Sequence, residues 1–130
     1  MIILFTMDSK TVLVIEDDRS LARLTEVMLN GRGLKTHLCL DSNNAMEMAR
    51  RLQPDLIILD IHMPRRSGIA VLKRLRQDDV TRDTPVIISS VLSRRQSIEQ
   101  LKRMGANDFV SKGEGIDCLI EKVISYTKAD

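Results

Sequence analysis

Aromatic residues are almost missing: Phe5, Phe109 and Tyr126 are the whole complement, and there is no tryptophan. A platform that stacks the bases of single-stranded nucleic acid needs several aromatic faces, so that class of function is excluded. Cysteine is limited to Cys39 and Cys118, far apart and in no CxxC or His-Cys spacing. Neither a disulfide scaffold nor a zinc site is expected, and both thiols read as ordinary buried or half-buried side chains. No apolar run reaches the roughly 20 residues of a membrane span. Met1 to Thr6 lacks the basic start and long apolar middle of a signal peptide, so a cytoplasmic protein with no membrane insertion is expected. There is no excess of one charge either: 20 Lys+Arg face 18 Asp+Glu, spread along the chain for a formal +2. That balance argues against direct nucleic-acid binding.

What is present fits one domain. A chain of 130 residues buries roughly two-thirds of its unfolded surface, enough for one core and too little for two. Short apolar runs alternate with stretches of helical period. Val12-Leu13-Val14-Ile15 is followed by Leu21, Leu24, Val27 and Met28, which read as one helical face. Leu34 to Leu40 precedes Ala45, Met46, Ala49 and Leu52. Leu56-Ile57-Ile58-Leu59 is continuously apolar, as expected of a strand covered on both sides, and Ile69, Leu72 and Leu75 follow it. Pro85-Val86-Ile87-Ile88 leads to Ile98, Leu101 and Met104, and Phe109-Val110 leads to Leu119, Ile120, Val123 and Ile124.

Five strands alternating with five helices predict a doubly wound α/β fold around a parallel sheet. Glycine and proline are scarce, and they fall at the joins: Asn30-Gly31-Arg32-Gly33, Gln53-Pro54 and Gly105. Residues 1–9 read as a lead outside the domain, with Met7 an alternative start.

In an open parallel sheet, ligands gather at the carboxyl ends of the strands. The residues just past the apolar runs are Glu16-Asp17-Asp18, Asp60, Ser89-Ser90 and Ser111-Lys112. Glu16-Asp17-Asp18 alone reads as a helix N-terminal acidic cluster. Together with Asp60 and Lys112 on the same edge it suggests a hard divalent cation held by carboxylates, beside a carboxylate able to attack a phosphoryl group.

From about Lys10 to about Thr127 the sequence resembles the receiver domain of two-component response regulators, a flavodoxin-like (βα)5 module typified by the chemotaxis regulator. The most specific segment is Leu56-Ile57-Ile58-Leu59-Asp60-Ile61-His62-Met63-Pro64 with Gly68 four residues on. Val12 to Asp17, Pro85 to Ser90 and Phe109 to Lys112 complete the likeness. The resemblance implies that Asp60 accepts a phosphoryl group from a histidine kinase or histidine phosphotransfer protein. It implies Mg²⁺, with Mn²⁺ as substitute, held by Glu16, Asp17, Asp60 and the backbone carbonyl of His62. Ser90 and Lys112 would bind the phosphoryl oxygens and Phe109 would follow Ser90 in a switch. His62 and Leu92 would tune the phosphoryl lifetime, expected to be long because an apolar Leu92 and a bulky His62 restrict water.

It also implies a regulatory phosphoacceptor rather than an enzyme, with Mg²⁺-dependent self-phosphorylation and autodephosphorylation. The signal would leave through the surface around the fourth helix, fifth strand and fifth helix, toward a downstream protein or a second copy.

Two departures from the family stand near the site: Gly113 follows Lys112 where proline in a cis peptide is usual, which suggests a looser or differently shaped loop, and Val91 stands where alanine is common. Arg65, Arg66, Arg94 and Arg95 would rim the active edge. The receiver is expected to fill residues 10–130 with no output domain. The rivals are a receiver detached from a longer regulator or hybrid kinase, and a flavodoxin-fold phosphatase. Against the phosphatase, Asp60 has no second aspartate two residues later, and no nucleotide-binding glycine pattern occurs.

Overall fold

A computed structural model of the chain describes residues 9–63, 67–91 and 98–128. Its five strands are β1 (Thr11–Ile15), β2 (Lys35–Cys39), β3 (Leu56–Leu59), β4 (Val86–Ser90) and β5 (Asp108–Ser111). They alternate with α1 (Arg19–Gly31), α2 (Ala45–Leu52), α3 (Gly68–Gln77), α4 (Ile98–Arg103) and α5 (Ile116–Thr127). All pairings are parallel and the strand order is β2-β1-β3-β4-β5. This is the flavodoxin-like doubly wound sheet that the alternation predicts, with its topological switch between β1 and β3.

Strand periodicity divides the core into two layers. Leu13, Ile15, Ile57, Leu59, Val86 and Ile88 point one way, onto Ala45 and Ala49 of α2, Val71, Leu72 and Leu75 of α3, and Leu101 of α4. Val12, Val14, Leu56, Ile58, Ile87 and Val110 point the other way, onto Leu29 of α1 and Leu119, Ile120 and Val123 of α5. Each fully buried Leu or Ile contributes about 1.5–3 kcal/mol relative to exposure. The wholly apolar β3 is buried because helices cover both its faces.

The first helix corrects one expectation. Its buried residues are Ala22, Thr25 and Leu29, whereas Leu24 is 47% and Val27 60% exposed. Thr25 can face the core because its hydroxyl donates to the Leu21 carbonyl at 2.8 Å, leaving no polar group unsatisfied. An apolar stripe misses that residue and therefore rotates the predicted face. On α4, Ile98 is likewise 44% exposed and only Leu101 is buried. Cys39 is buried and Cys118 half-buried, both as free thiols.

Candidate functional site

Sheet register assembles the site. Ile15 pairs with Leu59 and Leu59 with Ile88, so Glu16 and Asp60 leave neighbouring strands side by side at their carboxyl ends. Ser90 closes β4 opposite Ser111, and Lys112 follows Ser111 directly. Asp18 does not join them: its side chain caps α1 by accepting from the Leu21 N–H at 3.1 Å. The acidic run therefore divides into a cap and two carboxylates available to the site.

Asp60 is buried, 3% exposed, and both its oxygens are engaged. Oδ1 accepts from the His62 backbone N–H and from the Ser90 hydroxyl, each at 2.9 Å. Oδ2 accepts from the Lys112 ammonium at 3.1 Å. The same ammonium lies 2.8 Å from Glu16 Oε1, and Glu16 Oε2 accepts from the Asp18 N–H at 3.1 Å. One lysine thus bridges two buried carboxylates.

Burial pushes the Glu16 carboxyl up to about 7; the hydrogen bond from Lys112 opposes the rise and the Asp60 charge adds to it. For Lys112, burial disfavours the ammonium, but Glu16 and Asp60 outweigh it and leave its pKa raised. It stays charged.

Carboxylate oxygens of Glu16, Asp17 and Asp60 lie within 4.8 Å of one another. Among the described residues, three carboxyl groups share one ammonium in a small volume, and the available donors are all oxygens. That set fits a hard divalent cation better than a thiolate- or imidazole-loving metal. Asp17 is exposed and Glu16 and Asp60 buried, so the cluster opens to solvent on one side.

Other sequence-predicted residues are placed as follows. His62 is exposed, with its N–H turned to Asp60. Phe109 is half-buried and packs on the core layer that holds α2, α3 and α4. Val91 is 62% exposed. Leu92, Arg65, Arg66, Arg94 and Arg95 lie outside the described residues, as do residues 1–8 of the lead.

Of the two forms expected of the loop after Lys112, looser or differently shaped, the structure has the second. Lys112–Glu114 forms a 3-10 turn closed by a reciprocal capping box between Ser111 and Glu114, and no cis peptide occurs among the described residues. The Ser-x-x-Glu spacing at 111–114 is the sequence signal for this arrangement.

On the β5 and α5 face, Asp108 meets Tyr126 at 3.1 Å and Lys122 at 3.4 Å. Burial alone would raise the pKa of Asp108; the Phe109 N–H, the Tyr126 hydroxyl and Lys122 outweigh that and hold it low.

Gly68 opens α3 directly against the site. Its N–H donates to the Ile61 carbonyl at 3.2 Å, and a Cβ there would overlap the Asp60 carbonyl oxygen and the Ile61 Cα. Both are backbone, so neither can rotate away. Gly68→Ala is expected to destabilise the fold by about 1–3 kcal/mol through this overlap, read as a lower urea midpoint with unchanged slope.

Residues 12–124 match the response regulator receiver domain family. A solved relative is the receiver domain of the Francisella response regulator 1452, 35% identical, with a TM-score of 0.82 over 92% of this chain and 98% of that one. The chain is 31% identical to the polar-differentiation response regulator DivK of Brucella anthropi, over 90% of its own length and 95% of DivK. It is 32% identical to RpaA of Synechocystis sp., named a DNA-binding dual master transcriptional regulator, but spans only 46% of that protein. The chain belongs to the response regulator receiver family and is a receiver domain of two-component signalling. The family is regulatory rather than enzymatic, and its members work with histidine kinases. No described helix is long and apolar enough to cross a membrane.

Proposed function

We propose that Asp60 is the phosphoacceptor of a cytoplasmic phosphorelay and that the chain signals through a changed protein-binding surface. The observation that carries this reading is the convergence of three donors of different kinds, the Ser90 hydroxyl, the Lys112 ammonium and the His62 N–H, on the one buried carboxylate of Asp60. Asp108 also takes a backbone N–H, a hydroxyl and an ammonium; what sets Asp60 apart is that its donors, which also suit phosphoryl oxygens, meet it in a buried position beside the carboxylates of Glu16 and Asp17.

In the proposed step an Asp60 oxygen attacks the phosphorus of a phosphohistidine. A P–O bond forms, the P–N bond breaks, and the imidazole leaves and takes up a proton. Lys112 then exchanges part of its contact with Asp60 for a phosphoryl oxygen, and Ser90 turns its O–H to another. Glu16, Asp17, Asp60 and the His62 carbonyl would hold Mg²⁺, or Mn²⁺ in its place, which supplies charge neutralisation and orientation for the transferred group. Water attack on the acyl phosphate would reverse the modification. The bulk of exposed His62 would slow that water, and the phosphoryl group is expected to be long-lived.

The switch follows from the same contacts. Drawing the Ser90 hydroxyl from Asp60 to the phosphoryl group frees space that half-buried Phe109 can enter, altering the face formed by α4, β5 and α5. A downstream protein or a second copy of the chain would read that face. Beryllofluoride mimics the phosphoryl group and tests the reading: with Mg²⁺ it should bind wild type and shift amide resonances of Ser90, Phe109 and Lys112, while Asp60→Asn shows neither effect. Equal binding by both proteins would overturn the assignment.

A further inference from the structure

Lys112 can do its work only if its ammonium stays between two carboxylates, yet the chain around it is built from flexible parts. Gly113 follows it directly, and Gly115, at φ +91°, ends the turn. The lysine stem adds rotatable bonds of its own.

Three hydrogen bonds remove this freedom. The Ser111 N–H donates to Glu114 Oε2 at 2.9 Å, the Gly113 N–H donates to the Ser111 hydroxyl at 3.3 Å, and the Gly115 N–H donates to the Lys112 carbonyl at 3.3 Å. Glu114 Oε1 lies 3.8 Å from the Cys118 sulfur on α5, which ties the turn to the helix behind it. Glu114 is itself exposed and lies outside the Glu16, Asp17 and Asp60 cluster.

We infer that Ser111 and Glu114 act as a clamp that positions Lys112 over Asp60, with Glu114 a positioning residue for phosphoryl binding. Because Ser111 is also the register partner of Ser90, the clamp fixes two of the three donors to Asp60 relative to each other. The inference rests on the reading of Asp60 as phosphoacceptor. Its physical basis is that small displacements of a group acting at hydrogen-bond distance cost large factors in binding and rate.

The test compares wild type, Glu114→Ala, Glu114→Gln and Ser111→Ala by calorimetric titration with beryllofluoride in Mg²⁺, with Mg²⁺ alone, and by thermal melting. Glu114→Ala should bind beryllofluoride about tenfold more weakly, and Ser111→Ala should weaken it in the same direction. Glu114→Gln keeps an acceptor for the Ser111 N–H and should stay within about twofold of wild type. Affinity for Mg²⁺ alone should not change, a result that general damage to the site would not give.

Wild-type beryllofluoride affinity in Glu114→Ala and Ser111→Ala would overturn the clamp. So would a Gln variant as weak as Ala, or a parallel loss of Mg²⁺ affinity. Asp60→Asn serves as control: if it binds beryllofluoride as wild type does, the phosphoacceptor reading fails and the clamp loses its purpose, whereas a failed clamp beside a normal control leaves that reading intact.

Discussion

Lys112→Met is expected to slow phosphoryl transfer to Asp60 by about 10²-fold or more, the usual cost of removing one preorganised electrostatic donor from a transferring group. Methionine keeps much of the stem's volume and loses the charge. Its effect on metal binding should have the opposite sense. Without the ammonium 2.8 Å from Glu16 and 3.1 Å from Asp60, the carboxyl groups lose the cation that pairs with them among the described residues, and Mg²⁺ should bind at least as tightly as to wild type. Calorimetry with Mg²⁺ alone and phosphorylation kinetics from acetyl phosphate, followed by intact mass, separate the two effects. A variant that loses Mg²⁺ affinity and transfer rate together would show that Lys112 merely holds the site in shape.

Much of this site is legible in the sequence because it lies just past runs that can only be buried strands. Asp60 after Leu56-Ile57-Ile58-Leu59, and Glu16 after Val12-Leu13-Val14-Ile15, must emerge at one edge once the sheet is parallel. What escapes the apolar pattern is polar burial. Thr25 on α1 is buried because its hydroxyl is satisfied within its own helix, and no count of apolar residues finds it. The capping box at Ser111 and Glu114 does have a sequence signal, but a glycine beside a lysine suggests looseness until the hydrogen bonds of the turn are seen.

Arg76 is the clearest case of a role invisible to pattern. It stands in the basic last turn of α3 beside Arg74, where arginines usually solvate a surface. Instead its Nε donates to the Gly105 carbonyl at 2.9 Å, and Nη1 reaches the carbonyls of Thr84 at 2.7 Å, Arg82 at 3.1 Å and Thr81 at 3.3 Å. Nη2 donates to Asn107 Oδ1 at 3.0 Å, an oxygen that also accepts from the Val86 N–H at 2.9 Å.

One guanidinium therefore joins the end of α3, the loop into β4 and the start of β5. Burial lowers its pKa and the Asp83 charge opposes that; a guanidinium remains protonated regardless. Gly105, at φ +112°, must lack a side chain because a Cβ would meet Arg76 Cγ at 2.7 Å.

Arg76→Met should cost about 3 kcal/mol, since it leaves several partly buried carbonyls without donors. For a domain of this size that lowers the melting midpoint by about 10 °C. Arg76→Lys should recover less than half of the loss, because an ammonium cannot reproduce the planar fork. A midpoint within about 2 °C of wild type for Arg76→Met would show that water replaces these bonds at little cost.

The central claim is that Asp60 takes the phosphoryl group. Its most direct test is intact mass spectrometry after incubation with acetyl phosphate and Mg²⁺, for wild type and Asp60→Asn in parallel. Wild type should gain the mass of one phosphoryl group, chelation of the metal should prevent the gain, and Asp60→Asn should gain nothing. A gain of the same size in Asp60→Asn would place the modification elsewhere and contradict the account.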